Sequence, residues 1–175
     1  MITELKKQFK IGLPRLILTD IDGVWTDGGM YYADNGVEFK KFNTYDSAGV
    51  LFCKRLDIPM GIITGEDSVI VRNRAKKLKI DKVYCGVENK LMAVEQICLE
   101  LNIKLREVAY IGDDINDFTL IKNVGFSACP QSAVQLIKDN VSIVLRKNGG
   151  EGVFREFIEY ILAQNQISVT SLIDI

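Results

Sequence analysis

Two aspartates stand one residue apart directly after a short apolar run near the start of the chain. The run 16–18 leads through Thr19 into Asp20 and Asp22, and Gly23 follows. An apolar run of this kind predicts a buried strand. Carboxylates at the end of a buried strand need a neutralising cation, because desolvation and mutual repulsion disfavour their charged forms. A hard metal ion is the simplest candidate.

Three further strand ends carry groups that complement these carboxylates. They are a hydroxyl, an ammonium and a second acidic group, namely Thr64, Lys90 and the aspartates Asp113, Asp114 and Asp117. The chain contains no histidine, which excludes serine-histidine, cysteine-histidine and histidine-ligated zinc chemistry. Ligation by oxygen alone favours Mg²⁺ over zinc or copper.

Such a set of side chains can carry out phosphoryl transfer. A carboxylate beside Mg²⁺ can attack phosphorus and form an aspartyl-phosphate, which splits one difficult displacement into two easier ones. A second carboxylate, two residues along the strand end, lies close enough to protonate the leaving oxygen and later to activate water. A hydroxyl, a lysine and a metal can together bind the charge that spreads over the equatorial oxygens in the transition state.

The elements that must position these residues alternate between strands and helices. The apolar patterns predict strands at 16–19, 60–64, 82–85, 108–112, 124–128 and 142–145, separated by helices at 46–55, 68–78, 90–101, 116–122, 132–138 and 153–162. Strands without polar alternation indicate an α/β fold with a doubly wound parallel sheet. Ligands of such sheets bind outside the carboxyl ends of the strands, where the acidic residues are expected to converge.

The pattern also predicts the inward face of one helix and the character of the two ends of the chain. In the helix 68–78, we expect Val69, Val71, Ala75 and Leu78 to face inward. The segment Met1–Lys10 reads as a short leading helix or a frayed end. The sequence leaves open whether the tail Gln164–Ile175 is ordered.

A β-hairpin is predicted between the first strand and the first helix. Two β-prone runs, 30–32 and 37–42, flank an Asn35-Gly36 turn. Their apolar side chains have little of the chain to cover them, which favours subunit association, although the hairpin could instead fold back on its own domain. Trp25 and Tyr31 are expected at such an interface rather than in the core.

Length and composition narrow the class of protein. We expect the 175 residues to form one domain, 1–175, with an ordinary share of 47% hydrophobic and 26% charged residues. The net charge of −1 without a basic run argues against nucleic acid or membrane partners. The four cysteines lack metal or redox spacing, and no leader or membrane span is evident, so we expect a cytoplasmic protein with buried thiols.

The acidic strand ends resemble the four motifs of the haloacid dehalogenase superfamily of phosphatases. The matching segments are Asp20-Ile21-Asp22-Gly23-Val24, Thr64-Gly65, Lys90 and Gly112-Asp113-Asp114-Ile115-Asn116-Asp117. The resemblance implies that Asp20 is the nucleophile and Asp22 the general acid/base. It further implies that Thr64 and Lys90 hold the phosphoryl group. Mg²⁺ would be bound by Asp20, by the backbone carbonyl of Asp22 and by Asp113, with Asp114 and Asp117 as outer or occasional ligands.

Other segments are similar to a capless branch of that superfamily. They are the run 22–32, the hairpin, Asp46, the run 108–114 and the run 149–156. This branch dephosphorylates 3-deoxy-D-manno-octulosonate 8-phosphate and related 9-phosphates of nine-carbon keto sugar acids. The resemblance implies a phosphorylated sugar acid as substrate, no cap domain, and a homotetramer joined through the hairpin Trp25–Phe42. A neighbour's hairpin and C-terminal tail would then help to close the site.

One departure from the octulosonate pattern bears on the substrate. Glu66 follows Thr64-Gly65 where those enzymes usually carry arginine, and Arg74 and Lys77 follow along the next helix. This resembles the variant that acts on nonulosonate 9-phosphates of the deaminoneuraminate or N-acylneuraminate (sialic acid) type, so that substrate is expected. The octulosonate 8-phosphate of lipopolysaccharide synthesis is the alternative. Glu66 could instead only charge the N-terminus of the following helix.

Two other functions compete with the phosphatase. A receiver-type signalling domain also has acids at parallel strand ends, but its phosphoacceptor lies on the third strand, whereas here the Asp20–Asp22 pair lies on the first. A non-catalytic scaffold has no physical need to keep mutually repelling acids. In the remaining loops, Asp27 is expected as a turn residue rather than a metal ligand, and Gly149-Gly150 as part of a positioned tail.

Overall fold

The computed structural model of the protein describes residues 12–173. The segment Met1–Lys10, for which a leading helix or frayed end was expected, lies outside this range. The strands are β1 (Leu16–Thr19), β2 (Tyr31–Tyr32), β3 (Glu38–Phe39), β4 (Met60–Ile63), β5 (Lys82–Tyr84), β6 (Val108–Ile111), β7 (Phe126–Cys129) and β8 (Ile143–Val144). The α-helices are α1 (Asp46–Arg55), α2 (Val69–Leu78), α3 (Lys90–Leu101), α4 (Phe118–Asn123), α5 (Gln135–Lys138) and α6 (Val153–Gln164).

Six of these strands form one parallel sheet in the order β5-β4-β1-β6-β7-β8. The strand β1 lies at the centre, with Ile17 paired to Met60 on one side and Leu16 paired to Val108 on the other. The chain therefore winds outward from β1 first in one direction and then in the other. The predicted doubly wound parallel α/β sheet is confirmed, and its switch point lies beside the carboxyl end of β1.

The sheet separates two apolar cores, because successive side chains of a strand point to opposite faces. In β1, Ile17 packs with residues of α1, α2 and α6, whereas Leu16 and Leu18 pack with residues of α3, α4 and α5. All four residues of β1 are buried, as are those of β4, β6 and β7. Helices on both faces explain why these strands read as continuous apolar runs.

Trp25 belongs to the first of these cores. Its indole has no exposed surface, stacks on Phe154 at 4.9 Å between ring centroids, and donates a hydrogen bond of 3.0 Å to Thr19 Oγ1. The expectation that Trp25 lies at a subunit interface is therefore wrong. The indole N–H has a partner inside the chain, so the whole ring can be buried at no hydrogen-bonding cost.

The predicted hairpin is confirmed, although its strands are short. Tyr31 pairs with Phe39 and Tyr32 with Glu38 in a two-stranded antiparallel ribbon, separate from the main sheet. Much of its apolar surface is exposed: Met30, Tyr31, Tyr32, Val37 and Phe39. We call these five side chains the hairpin patch. The patch begins only after Trp25, which packs within its own subunit.

Helices α1 and α6 pack closely against one another. A Cβ at Gly49 of α1 would lie 3.0 Å from the Phe154 ring, so a larger residue would separate the two helices. Asp46, at the start of α1, is fully buried and accepts a 3.2 Å hydrogen bond from the backbone N–H of Arg155 near the start of α6. Burial raises the pKa of Asp46 to about 6, although the backbone donors partly offset it.

Two smaller expectations have different outcomes. Val71 and Ala75 of α2 face the core as predicted, but Val69 is 70% exposed. Val69 is the first residue of the helix, and two residues along an α-helix are separated by about 200°, so its side chain lies opposite that of Val71. At the other end of the chain, Leu172 packs into the core, so the described part of the tail lies against the domain.

Two further findings concern the chain as a whole. Cys53, Cys98 and Cys129 are buried, as expected for small apolar side chains. Between residues 12 and 173, none of the helices has both the length and the apolar character that a membrane crossing requires.

Candidate active site

A cavity of about 230 Å³ opens at the carboxyl ends of the central strands. Its lining residues come from the ends of β1, β4 and β6 and from the base of the hairpin: Asp20, Asp22, Gly23, Gly28, Thr64, Gly65, Glu66, Asp113, Asp114 and Asn116. The structure thus brings the two acidic strand ends and Thr64 together, as their placement in a parallel sheet predicts.

Gly23 allows the two acidic loops to approach one another. Its φ is +83°, in the left-handed region that favours glycine, and a Cβ there would lie 1.9 Å from Asp113 Oδ2. Any side chain at this position would therefore displace the Asp113 carboxylate. The exit from β1 and the exit from β6 share one space because the residue between them has no side chain.

Lys90 is the buried cation of the site. Only 1% of the residue is exposed, and its Nζ lies 2.9 Å from Asp20 Oδ1 and 2.6 Å from Asp117 Oδ1. Burial by itself would lower the pKa of Lys90, but the negative charges of Asp20 and Asp117 outweigh it and raise the pKa. The ammonium is thus charged at neutral pH. A positive charge is unfavourable at the start of a helix such as α3, but the two carboxylates offset this effect.

Asp117 organises the loop that follows β6. Its Oδ2 accepts the backbone N–H groups of Asp113 at 2.8 Å and Asp114 at 3.2 Å. Its Oδ1 accepts hydrogen bonds from Lys90 and from the Tyr110 hydroxyl. Because both oxygens already have partners, Asp117 is better suited to orient the neighbouring groups than to bind a ligand directly.

The remaining acidic oxygens fit a hard cation. One oxygen from each of Asp20, Asp113 and Asp117 lies within 4.8 Å of the others. Within the described residues, Asp113 Oδ1 is buried and accepts no hydrogen bond, and Asp20 Oδ1 has the Lys90 ammonium at 2.9 Å. Carboxylate oxygens that face one another are the ligands that Mg²⁺ prefers. Asp20, Asp113 and a backbone carbonyl could thus hold such an ion.

The pKa values of the two candidate ligands agree with this arrangement. Burial, and then the negative charge of Asp117, raise the pKa of Asp20 to about 7, against an opposing effect of Lys90. Burial, and then the charges of Asp20 and Asp117, raise the pKa of Asp113 to about 8. A bound divalent cation would reverse both effects, since it favours the ionised carboxylates.

Asp22 has two oxygens in different surroundings. Its Oδ1 accepts a hydrogen bond of 2.6 Å from Lys40 and one of 3.5 Å from Thr26 Oγ1. Its Oδ2 is buried and has no hydrogen-bond partner among residues 12–173. The Asp22 carboxylate stands apart from the three-carboxylate group, so only its backbone carbonyl remains as a candidate metal ligand.

Thr64 and Glu66 are held in the cavity wall by the loop that follows β5. The Val87 N–H donates to Thr64 O at 3.1 Å, and the Gly86 N–H donates to Glu66 O at 3.2 Å. Thr64 is buried, whereas the Glu66 side chain is 42% exposed and forms a 2.6 Å ion pair with Lys40. Glu66 precedes α2, which begins at Val69, and its carboxylate is directed to this lysine.

Two predicted substrate-binding residues lie outside the cavity lining of this chain. Arg74 stands over the Phe42 ring, with 5.7 Å from its Cζ to the ring centroid, and donates to Asn43 O at 3.4 Å. Lys77 is exposed farther along α2. Within residues 12–173, the buried Arg74 Nε has no hydrogen-bond partner. The helical spacing placed both residues on α2 correctly but did not fix their distance from the cavity.

Sequence reasoning missed Lys40 and Tyr110. Lys40 lies among alternating residues of the hairpin, where a lysine normally reads as solvent-exposed. Burial would lower its pKa, but the hydrogen bonds to Asp22 and Glu66 raise it overall, so it is charged. Tyr110 gave a weak signal, because a tyrosine inside a buried strand needs a hydrogen-bond partner. In the structure that partner is Asp117.

Two loops support the backbone that follows β1. A Cβ at Gly149 would lie 1.9 Å from Gly23 O, and the Gly150 N–H donates to Val24 O at 2.9 Å. Asp27 accepts the Gly29 N–H at 3.0 Å and the Tyr31 hydroxyl at 3.0 Å. The expected turn role of Asp27 is confirmed, and the Gly149-Gly150 segment packs against the loop that bears the first two aspartates.

Metal binding should stabilise the fold more at alkaline pH than at acidic pH. A carboxyl with a raised folded-state pKa keeps a proton that the unfolded chain, near its ordinary value of 3.8, has already released. Without metal, the free energy of unfolding contributed by Asp20 and Asp113 therefore falls as the pH rises from about 4 to about 8. Mg²⁺ replaces those protons. At about 100 times its Kd, it should raise Tm by roughly 5–10 °C at pH 8.

Thermal unfolding in EDTA and in excess Mg²⁺, at pH 5.5 and pH 8, checks this expectation. Asp113→Asn should remove most of the Mg²⁺-dependent rise in Tm. The matched control is Asp139→Asn, because Asp139 is exposed directly after α5 and is neither a cavity-lining residue nor a member of the carboxylate group, so it should leave the rise intact. An equal rise at both pH values, or an undiminished rise in Asp113→Asn, would contradict the assignment.

The chain has relatives of known name and structure. The haloacid dehalogenase-like hydrolase family matches residues 53–157. The 3-deoxy-D-manno-octulosonate 8-phosphate phosphatase of Escherichia coli strain K12 is 37% identical over 148 residues, which cover 85% of this chain and 79% of that protein. The corresponding Yersinia pestis protein is 36% identical over 154 residues, which cover 87% of this chain and 82% of that protein.

Solved structures give the same result. The 3-deoxy-D-manno-octulosonate 8-phosphate phosphatase of Moraxella catarrhalis, in complex with magnesium ion, phosphate ion and KDO, superimposes with a TM-score of 0.88 at 32% identity and covers 96% of this chain and 94% of its own. A probable YrbI family phosphatase from Pseudomonas syringae pv. phaseolica 1448a gives a TM-score of 0.89 at 34% identity over 95% and 94% of the two chains. The motif resemblance is thereby confirmed, and the chain belongs to the haloacid dehalogenase-like hydrolase family.

Proposed function

We propose that this member of the family hydrolyses the terminal phosphate of a 2-keto-3-deoxy sugar acid through an aspartyl-phosphate on Asp20. It is a phosphoric monoester hydrolase, and Mg²⁺ is its cofactor. One observation carries the proposal. At the carboxyl end of β1, the buried Lys90 ammonium lies 2.9 Å from Asp20 Oδ1, and Asp20 lines an open cavity together with Asp22 and Asp113. Among the described residues, Asp22 Oδ2 and Asp113 Oδ1 have no hydrogen-bond partner. A site with this charge distribution fits a phosphate ester together with a divalent cation.

In the first step, the Asp20 carboxylate attacks phosphorus and the bond from phosphorus to the sugar oxygen breaks. Asp22 donates a proton to that oxygen, so the sugar leaves as a neutral alcohol. Lys90, at 2.9 Å from Asp20, orients the nucleophile and binds a phosphoryl oxygen. Thr64, held in the cavity wall by Val87, supplies a hydroxyl donor to another phosphoryl oxygen.

In the second step, water attacks phosphorus of the aspartyl-phosphate. Asp22, now ionised, accepts a proton from that water and is ready for the next cycle. The bond from phosphorus to Asp20 breaks, and inorganic phosphate is released. Bound Mg²⁺ supplies positive charge that keeps Asp20 ionised and neutralises phosphoryl oxygens. The oxygens that would hold it are those of Asp20 and Asp113, with the backbone carbonyl of Asp22.

For the substrate, the comparisons support 3-deoxy-D-manno-octulosonate 8-phosphate. Relatives in Escherichia coli and Yersinia pestis bear that activity in their names and align over more than four fifths of this chain. The cavity opens directly to solvent without a covering domain, so a sugar acid with an extended carbon chain can reach Asp20 with its terminal phosphate.

A nonulosonate 9-phosphate is the second candidate, and Glu66 is the observation that favours it. Glu66 lines the cavity and presents a carboxylate, which repels a substrate carboxylate but accepts hydrogen bonds from sugar hydroxyls. Its pairing with Lys40 reduces that repulsion. Arg74 does not line the cavity, so in this reading it would act through the ring of Phe42 and the loop at Asn43, whereas Lys77 lies exposed farther along α2.

The hairpin patch supports assembly into a homotetramer. Its five apolar side chains are between 42% and 66% exposed, and they belong to a ribbon that is separate from the main sheet. Clustered apolar surface of this kind marks a protein contact rather than a solvated surface. A four-chain arrangement would let each hairpin pack against its copies, next to the cavity mouth.

Replacing the nucleophile should abolish turnover while leaving the protein folded. Asp20→Asn keeps the shape of the side chain but cannot form the covalent intermediate, so phosphate release should fall at least about 10³-fold. Phosphate release is measured with and without EDTA, which should also silence the wild-type enzyme. Retained turnover in Asp20→Asn would remove Asp20 as nucleophile, and activity indifferent to EDTA would remove Mg²⁺.

Substrate preference is tested by kcat/KM on matched esters. We expect sugar-acid phosphates to exceed neutral sugar phosphates by about tenfold or more, since one well-placed charged contact has this effect. Between the acids, octulosonate 8-phosphate should be preferred over deaminoneuraminate and N-acylneuraminate 9-phosphates. A preference for the nine-carbon esters that is lost in Glu66→Gln would establish the second candidate instead.

The assembly is tested by sedimentation velocity. The wild-type protein should sediment as four chains, and Tyr32→Lys with Phe39→Lys should dissociate it, because charges in an apolar contact are strongly unfavourable. Leu99→Lys is the matched control, since Leu99 is 75% exposed but lies on α3, away from the hairpin. A monomeric wild-type protein, or an intact tetramer in the double variant, would refute the hairpin interface.

A further inference from the structure

Lys40 links the hairpin to the cavity wall. It directly follows β3, and its Nζ lies 2.6 Å from Asp22 Oδ1 and 2.6 Å from Glu66 Oε2. A third carboxylate, Glu38, stands 3.8 Å away. The Lys40 side chain is only 2% exposed, although the residue belongs to a projecting ribbon. This ammonium is therefore a buried junction between three carboxylates and not a solvated surface charge.

The junction makes the two oxygens of Asp22 inequivalent. Lys40 and Thr26 hold Oδ1, whereas the buried Oδ2 has no partner within the described chain. A general acid/base needs one oxygen free to exchange a proton and a carboxylate plane that does not rotate between the two steps. A charge-assisted hydrogen bond from a side chain with almost no exposure meets the second requirement.

We propose that Lys40 is a positioning residue for proton transfer, which holds Asp22 Oδ1 so that Oδ2 remains the oxygen that exchanges the proton. This inference rests on the role proposed above for Asp22. In the first step, the bond from phosphorus to the leaving oxygen breaks, a bond from phosphorus to Asp20 forms, and the proton passes from Asp22 to the leaving oxygen. Lys40 neither gives nor receives a proton in that step.

The neighbouring lysine shows what an ordinary hairpin lysine looks like. Lys41 is 67% exposed and lies 3.4 Å from Asp27, so its ion pair contributes little. Lys40 and Lys41 thus form a natural pair of positions, with one ammonium enclosed by the cavity wall and one in solvent. A substitution at Lys41 reports any general effect of removing a positive charge from the hairpin.

The test exploits leaving groups that differ in their need for a proton. Phenyl phosphate and p-nitrophenyl phosphate have nearly the same shape. Phenol has a pKa of about 10, as for a tyrosine side chain, whereas p-nitrophenol is much more acidic and departs as an anion. The value of kcat/KM covers only steps up to departure of the leaving group. Neither ester carries a sugar acid, so contacts of Glu66 with substrate do not enter.

For Lys40→Met, we expect kcat/KM on phenyl phosphate to fall about 10²-fold, the usual effect of misplacing an acid catalyst. On p-nitrophenyl phosphate, the fall should be less than about fivefold, because little proton transfer is needed. Lys40→Arg keeps the charged donor and should restore most of the activity on phenyl phosphate. Lys41→Met should behave as wild type on both esters, and Tm of each variant reports its folding.

Two results would overturn the inference: an equal loss on both esters, which indicates a merely structural lysine, or no loss on either. Asp22→Asn separates this failure from failure of the proposed mechanism. If Asp22→Asn shows the selective loss on phenyl phosphate and Lys40→Met does not, only the role of Lys40 is refuted. If Asp22→Asn shows no selective loss, the proposed role of Asp22 is wrong.

Discussion

Mutual repulsion between carboxylates that are held close together and away from water governs this structure. Asp20, Asp113 and Asp117 each place an oxygen within 4.8 Å of the others, and Lys90 is the protein's own counter-charge. One ammonium cannot balance three carboxylates, so burial and then the neighbouring negative charges raise the pKa values of Asp20 and Asp113. The parallel sheet maintains this unfavourable arrangement, because buried apolar strands fix the ends from which the acids project. The site is thus prepared for a cation and a phosphate ester together.

The hairpin segment contributes a lysine to the cavity wall as well as an exposed apolar surface. The cavity is open to solvent, and the short ribbon β2–β3 lies between β1 and α1 along the chain. Its apolar side chains are exposed, whereas Lys40, directly after β3, is buried between Asp22 and Glu66 of the cavity wall. The hairpin segment therefore supplies both an exposed apolar surface and a charged group at the cavity wall. In the proposed tetramer, contacts between hairpins and the geometry of Asp22 are joined through one side chain.

The sequence was sufficient for the fold and for the residues at the strand ends, because both depend on local pattern. Continuous apolar runs identified the buried strands, and a parallel sheet necessarily gathers Asp20, Thr64 and Asp113 at one edge. The sequence did not show which side chains contact one another across the site. Trp25 read as an interface residue because no local pattern shows that Thr19 would satisfy its indole N–H. Lys40 was missed for a similar reason, since its partners Asp22 and Glu66 lie 18 and 26 residues away. The substrate also stays a proposal, as one acidic residue does not define the whole sugar site.

The contact between Gly149 and Gly23 has a consequence for how the protein is made. The backbone after β1 rests on a segment more than a hundred residues later, with the Gly150 N–H bonded to Val24 O. Closing so long a loop is slow, and a growing chain gains its early elements first. Asp20 is therefore synthesised near the beginning, but the loop that carries it receives its support only when most of the chain has emerged. At this site, the order of synthesis and the order of assembly run in opposite directions.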